Sequence, residues 1–515
     1  MKLPPLLQRL NLNLGFPRLP RPQLLLHRSQ HGGRSRMAVP RCSRRRRNIL
    51  LVSSAVLLLV LGIFTHLYRV EAELSATWRP SPQDVIFASK PLPPPPPRDG
   101  FLYTSFELPF RTRGRDVVDR GGRKFVLASV NWYGASDERF VPGGLDVRHR
   151  REIARTVKRL GFNSVRLPYS DEMLYSNPVV DPDAVRANPD LLGRKALDVF
   201  VETARALSDE GVAVVINNHI TSATWCCGAD PCDSGWSNDD ENSIIGGIPG
   251  VSFCRVGQTE KQWVGNWMLV MSRLKDVEGV IAADLRNEVR GIWGTMPWNK
   301  WADAAERAGG RLMEMNEGWL VVIGGTESGN DLRGVRERPV RLFVTTAGGK
   351  KGGGDGEGEE EVMGGRESAT REVKDRVVYE AHVYSWSGWG STEGRYARRK
   401  YDSFARSMRR NWAYLVEENI APVWVGELGA PRDPGVGDAT YWHNLMRFLG
   451  EANADFGYWA INPRKPHGNT TETYGLVLDD WETPVLDYRL RAMRELVDEN
   501  LGAAKAHGDG WRGLL

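Results

Sequence analysis

No acidic residue occurs among the first 48 positions of this 515-residue chain, which carry 12 Lys and Arg. The formal charge of +5 is therefore local, because the remainder holds 57 basic and 64 acidic residues. A mildly acidic body lacks the sequence-independent attraction for phosphates on which nucleic-acid binding depends, so a nucleic-acid partner is excluded. No repeat of solenoid period is visible, and no Gly-rich nucleotide turn follows the first predicted strand. With 41% hydrophobic and 26% charged residues, collagen-like, coiled-coil and wholly disordered chains are excluded as well. Cysteine is scarce, with five residues in all, whereas Trp is abundant at 18. Indoles often serve as flat apolar walls for ligands, so an aromatic-lined cleft is expected.

The basic segment ends in Arg44-Arg45-Arg46-Arg47, and an uncharged apolar run follows from Ile49 to Thr65. Residues 49–68 reach the length of a bilayer-spanning helix. Arg and Lys on the N-terminal flank predict that residues 1–48 form a cytosolic tail, with the body luminal or extracellular. The expected arrangement is an uncleaved signal anchor of single-pass type II topology. A cleaved signal peptide, which would leave a secreted protein, an organelle transit segment and a start codon assigned upstream are the competing readings.

Residues 69–100 read as a linker, stiffened by the proline run at 91–97. The body, 101–505, is interrupted by a Gly-, Lys- and Glu-rich tract at 348–366 that cannot bury apolar area and is expected to be a disordered insertion. Cys226, Cys227, Cys232 and Cys254 fall within 29 residues. In an oxidising compartment this set predicts two disulfides in one loop. A bond between adjacent Cys226 and Cys227 is disfavoured, which leaves two connectivities. A zinc site using His219 is the weaker alternative, since the spacing contains no C-x-x-C pair. Asn469-Thr470-Thr471 is a glycosylation sequon.

Eight short apolar runs alternate with amphipathic segments: 125–130, 163–167, 212–217, 280–285, 319–324, 377–381, 422–426 and 456–461. Helical spacing marks 146–160, 194–210, 261–275, 299–315, 395–418, 439–450 and 484–500. Strands buried on both faces and separated by helices imply a parallel sheet, and eight units predict an α/β chain closed as a (β/α)8 TIM barrel with long loops. A doubly wound open sheet is the alternative. Asp116 to Asp119 and the turn Arg120-Gly121-Gly122-Arg123 predict a small N-terminal hairpin capping the barrel floor.

In such a barrel the chemistry gathers where strands end at the C-terminal mouth. The strand ends carry Asn131-Trp132, Arg166, Asn218-His219, Asn287-Glu288, His382 with Tyr384, Glu427 and Trp459. Singly, each reads more readily as a structural charge or loop residue; together they form a ring. Two carboxylates facing each other, Glu288 and Glu427, are what a retaining glycosidase requires, about 5–5.5 Å apart. One must have a raised pKa to serve as acid, and the other must be held down, a task suited to Arg166 and Tyr384. Asn287 has an amide able to hold a sugar 2-hydroxyl. Trp132, Trp225, Trp236, Trp386, Trp389 and Trp459 are candidate walls, about half of them expected to be structural.

The set Asn131-Trp132, Asn163-Ser164-Val165-Arg166-Leu167-Pro168, Asn218-His219, Asp284-Leu285-Arg286-Asn287-Glu288, His382-Val383-Tyr384, Val425-Gly426-Glu427 and Gly457-Tyr458-Trp459 resembles glycoside hydrolase family 5, the cellulase family, over residues 101–500. The resemblance implies a (β/α) barrel, retention of configuration, and no metal or organic cofactor. It implies Glu288 as acid/base and Glu427 as nucleophile, with Arg166, His219, Asn287, His382, Tyr384 and Trp459 as supporting and sugar-binding residues. One departure is Val289, where members commonly carry Pro. The expected activity is endo-hydrolysis of a β-linked polysaccharide by a monomer, with β-1,4-glucan first and β-mannan second. A transglycosylase uses the same residues, and a silent carbohydrate-binding barrel has no need of both carboxylates.

Overall fold

In this computed structural model the described residues are 44–77, 95, 100–225, 234–238, 256–290, 296–346, 369–388, 391–465 and 470–509. The basic tail before Arg44, all five cysteines, Trp389, Asn469, the 348–366 tract and, apart from Pro95, the proline run lie outside them.

The first element is a helix from Arg44 to Thr77. Its stretch Asn48–Val70, 23 residues at a mean hydropathy of 2.4, is long and apolar enough to cross a bilayer. Within it Leu51 and Leu58 are 62% and 68% exposed. The helix overruns its expected end at 68, so the first nine residues assigned to the linker are helical.

All eight expected strands form: β1 (Ala128–Asn131), β2 (Ser164–Ser170), β3 (Ala213–Ile220), β4 (Val280–Asp284), β5 (Leu320–Gly324), β6 (Val377–Val383), β7 (Val423–Leu428) and β8 (Asp455–Tyr458). They close a parallel barrel in sequence order, β8 pairing with β1 through Phe456 opposite Ala128. Leu127, Val215, Ile281, Val322 and Trp424 fill the lower barrel with Phe110, Val117 and Phe125 from the preceding segment. That is why the strands read as nearly continuous apolar runs. The floor is capped by a hairpin of Arg111–Arg113 with Asp116–Val118. The expected return at 120–123 exists as Asp119 N–H to Arg123 O and Phe125 N–H to Val117 O, each 2.9 Å, but the main partner of Asp116–Val118 precedes it in the chain.

The expected helix at 395–418 is broken into Tyr401–Met408, a wider turn at Arg409–Ala413 and Tyr414–Glu417. An antiparallel pair not expected from the sequence, Leu342–Thr346 with Ala369–Val373, flanks residues 347–368. Several indoles act as struts: Trp263 Nε1 donates to Asn218 Oδ1 (3.0 Å), Trp267 Nε1 to Leu285 O (3.1 Å) and Trp301 Nε1 to Gly324 O (2.8 Å). Helix side chains thereby tie down three strand ends at the mouth, each N–H being satisfied on burial.

Candidate active site

Arg166, on β2, organises the mouth. Its Nε donates to Asp284 Oδ2 (2.7 Å), Nη1 to Glu427 Oε1 (2.5 Å) and Asn131 Oδ1 (3.2 Å), and Nη2 to Asn287 Oδ1 (2.9 Å). Burial works against its charge, yet Asp284, Glu380 and Glu427 hold its pKa above the ordinary value. One planar fork thus orients side chains from β1, β4, β7 and the turn after β4.

Glu427 is aimed into the barrel by an irregularity in β7. Along β6 the step from Glu380 to His382 is two residues, whereas the matching step on β7, from Trp424 to Glu427, is three. The bulge turns Glu427 to the face that strict alternation from Trp424 would deny it. Its second oxygen, Oε2, accepts from Tyr384 OH at 2.9 Å. Burial and the charges of Glu427 and Glu288 push the Tyr384 phenol well up, so it stays a donor. For Glu427 itself burial raises the pKa, His382 and Arg166 pull it back, and Glu288 and Glu380 push it further up. The expected cationic and hydrogen-bonding partners are in place, but the net direction is upward, because full burial outweighs them.

Glu288 follows β4 with φ +44°, a left-handed backbone uncommon outside glycine and a form of strain that clusters at functional sites. Its Oε1 lies 3.1 Å from His382 Nδ1, and the same nitrogen is 3.6 Å from Glu427 Oε2. Carboxylate oxygens of Glu288 and Glu427 lie within 4.8 Å of each other, His382 making the third corner. Among the described residues this is the one grouping with metal-ligand spacing. A guanidinium at 2.5 Å and a phenol at 2.9 Å already engage one site on each oxygen of Glu427.

His219 is pushed well below its ordinary pKa by burial and by the nearby Arg166 and His382. Its neutral ring is held by Asn217 Oδ1 at 2.8 Å from Nδ1 and stacks on Trp459 at 5.4 Å and 13°. Trp459 stacks in turn on Tyr133 at 4.9 Å and 4°. On the other side Tyr384 stacks on Trp386, which is 45% exposed. These walls enclose a cleft of about 410 Å³ lined also by Trp225, Asp137, Lys465, Glu472 and Tyr474. The size suits a small number of sugar residues, and its pairing of aromatic planes with a few polar groups is that of a carbohydrate site.

Arg166, His219, Asn287, Glu288, His382, Tyr384, Glu427 and Trp459 are thus brought together. Trp132 is not: it is fully buried in the core, its Nε1 donating to Gly143 O at 2.8 Å, and Tyr133 takes the place expected of it. Trp236 is also a core residue, packed on Trp301. Tyr133 and Glu380 went unassigned from the sequence, although each lies two positions from an inward-facing residue, Asn131 and His382, and the period of two was the available signal. Asp137, Glu472 and Tyr474 come from loops and Lys465 from a two-residue strand, where no periodicity marks them.

The family model of cellulase, glycosyl hydrolase family 5, matches residues 119–465. An endoglucanase of Paenibacillus polymyxa is 27% identical over 408 residues, covering 75% of this chain and 88% of that protein. A glycosyl hydrolase 5 family protein of Chamaecyparis obtusa is 26% identical, covering 77% of this chain and 67% of that one. Among solved structures, an endocellulase from Pyrococcus horikoshii aligns with a TM-score of 0.58 at 22% identity, over 76% of this chain and 99% of its own.

Proposed function

We infer, from the premise that this chain belongs to glycosyl hydrolase family 5, the cellulase family, that its glycosidase activity is that of a retaining endo-β-1,4-glucanase. The observation that carries the reading is the Glu288–Glu427 pair, oxygens within 4.8 Å, at the mouth of a closed barrel. That spacing suits double displacement and leaves no room for the water an inverting enzyme places between its carboxylates. Glu427, oriented by Arg166 and Tyr384, attacks the anomeric carbon while Glu288 protonates the departing oxygen. Glu288 then takes a proton from water, which breaks the glycosyl–Glu427 ester. Asn287, its oxygen fixed by Arg166, has an amide nitrogen to donate to the 2-hydroxyl as positive charge develops on the ring. Trp459 and Trp386 supply planes for sugar faces. The Paenibacillus relative, named an endoglucanase, and the match to the cellulase family support β-1,4-glucan as the substrate.

The full-length chain, incubated with a panel of β-glucans, mannan and xyloglucan, is expected to shorten soluble β-1,4-glucan with early release of mid-length oligosaccharides. Release of a single small product from chain ends, or preference for mannan, would sink the endo-glucanase reading.

The apolar helix supports a membrane anchor, single-pass type II, with the catalytic body on the luminal or extracellular side. In that compartment disulfides among Cys226, Cys227, Cys232 and Cys254 and a glycan at Asn469 fit the sequence. Protease added to intact microsomes is expected to spare the body until detergent is present. Digestion without detergent would reverse the orientation.

A further inference from the structure

Beneath the two catalytic carboxylates sits a third that the hydrolytic steps above do not use. Glu380, on β6, is fully buried on the barrel axis, two residues before His382 and on the same face. Its Oε1 lies 3.3 Å from Arg166 Nε and 3.3 Å from His382 Nε2. A second buried carboxylate, Asp284 on β4, shares Arg166 Nε with it. The neighbouring strands make way for Glu380: a Cβ at Gly426 on β7 would overlap its carboxylate, and one at Gly324 on β5 would come within 3.3 Å of Oε2.

We propose that Glu380 is a positioning residue of this reaction, pinning His382 as a doubly protonated imidazolium that bridges the two catalytic carboxylates. The ring nitrogens face opposite ways. Nε2 meets Glu380, while Nδ1 lies 3.1 Å from Glu288 Oε1 and 3.6 Å from Glu427 Oε2. A neutral imidazole carries one N–H and presents a lone pair at its other nitrogen. Here a lone pair at Nε2 would face Glu380 at 3.3 Å, an ion-pair contact that lacks hydrogen-bond alignment, and one at Nδ1 would face Glu427, which must be ionised to attack, so the charged ring is the one that fits. The charges facing this group are Arg166 from β2, Asp284 from β4, Glu427 from β7 and Glu288 after β4; His219 from β3 faces the Arg166–His382 side and is neutral. Burial disfavours a charged ring, but Glu427, Glu380 and Glu288 outweigh it and hold the His382 pKa well up, in agreement with the geometry. Burial pushes Asp284 up to about 7, with Glu380 adding to the push, so a proton held there relieves the crowding of carboxylates around Arg166.

The function of the bridge is to place a fixed positive charge beside Glu427, which must be ionised to attack, and beside Glu288 once it has given up its proton. This rests on the reading of those two residues as the catalytic pair. The ring should then lose its second proton, and with it the bridge, as pH rises through the His382 pKa. Removing the Glu380 charge lowers that pKa and brings the loss to lower pH.

The test uses the full-length chain with 15N-labelled histidine, the His382 signals being assigned by their absence in His382→Gln. Both ring nitrogens of His382 are expected to show the protonated signature at pH 7 in the unsubstituted protein, a readout that needs neither substrate nor a folded Glu380 variant. In Glu380→Gln the ring is expected to titrate at lower pH. The midpoint of the His382 15N titration should move down by about one unit, kcat should fall roughly 10- to 100-fold, and Glu380→Asp should restore part of both. A neutral His382 at pH 7 in the unsubstituted protein, or an unmoved His382 midpoint in a folded Glu380→Gln, would overturn the proposal. If polysaccharide hydrolysis is absent while the imidazolium signature stands, the functional reading fails and the ring assignment does not.

Discussion

Replacing Glu427 by Gly is expected to lower turnover by about 10⁵-fold or more, the scale on which hydrolases lose activity when their nucleophile is removed. Sodium azide should restore bond cleavage and give a glycosyl azide of inverted configuration. The small anion enters the space the carboxylate vacated, attacks the same face of the anomeric carbon, and has no second displacement to follow. The pH profile carries a further sign. Glu427 must be ionised to attack, and burial raises its pKa above the ordinary 4.5, so kcat/KM should already decline, as pH falls, before pH 4.5 is reached. Unchanged activity in Glu427→Gly would remove the nucleophile assignment.

Glu288→Ala is the second large effect, and its signature is selectivity. With a poor leaving group such as a sugar hydroxyl, protonation is needed for departure, and the loss should be about 10²- to 10⁴-fold. With a dinitrophenyl glycoside, whose phenolate leaves unaided, the first step should be nearly preserved and the glycosyl-enzyme should accumulate, because deglycosylation still lacks its base. Rapid mixing would then show a burst of phenolate followed by a slow phase. Equal losses on both substrates would mean that Glu288 does something other than move protons.

The barrel was legible because each strand is buried on both faces and so stands out as a short apolar run between amphipathic helices. The mouth was legible because chemistry in this architecture collects at strand ends, which puts Arg166, His219, Glu288, His382 and Glu427 in view one strand at a time. Trp132 was misread because adjacency to a strand end does not say which way a side chain points. Asn131 faces the barrel, Trp132 alternates outward to Gly143 and Trp481, and Tyr133 returns to the cleft. Glu380 lies inside a strand and not at its end, where the mouth is read, although a carboxylate at an inward position is costly unless partnered, and that cost points to function. The β7 bulge that re-aims Glu427 depends on register with β6, which no local pattern records. The rise of the Glu427 pKa likewise depends on how completely the folded barrel excludes water.

The central claim is that Glu288 and Glu427 are near enough to act by double displacement. Proton NMR of the first sugar released from a β-1,4-glucan oligosaccharide, recorded before mutarotation, tests it most directly. The account predicts the β-anomer as the initial product; an initial α-anomer would show a single displacement through an intervening water and contradict it.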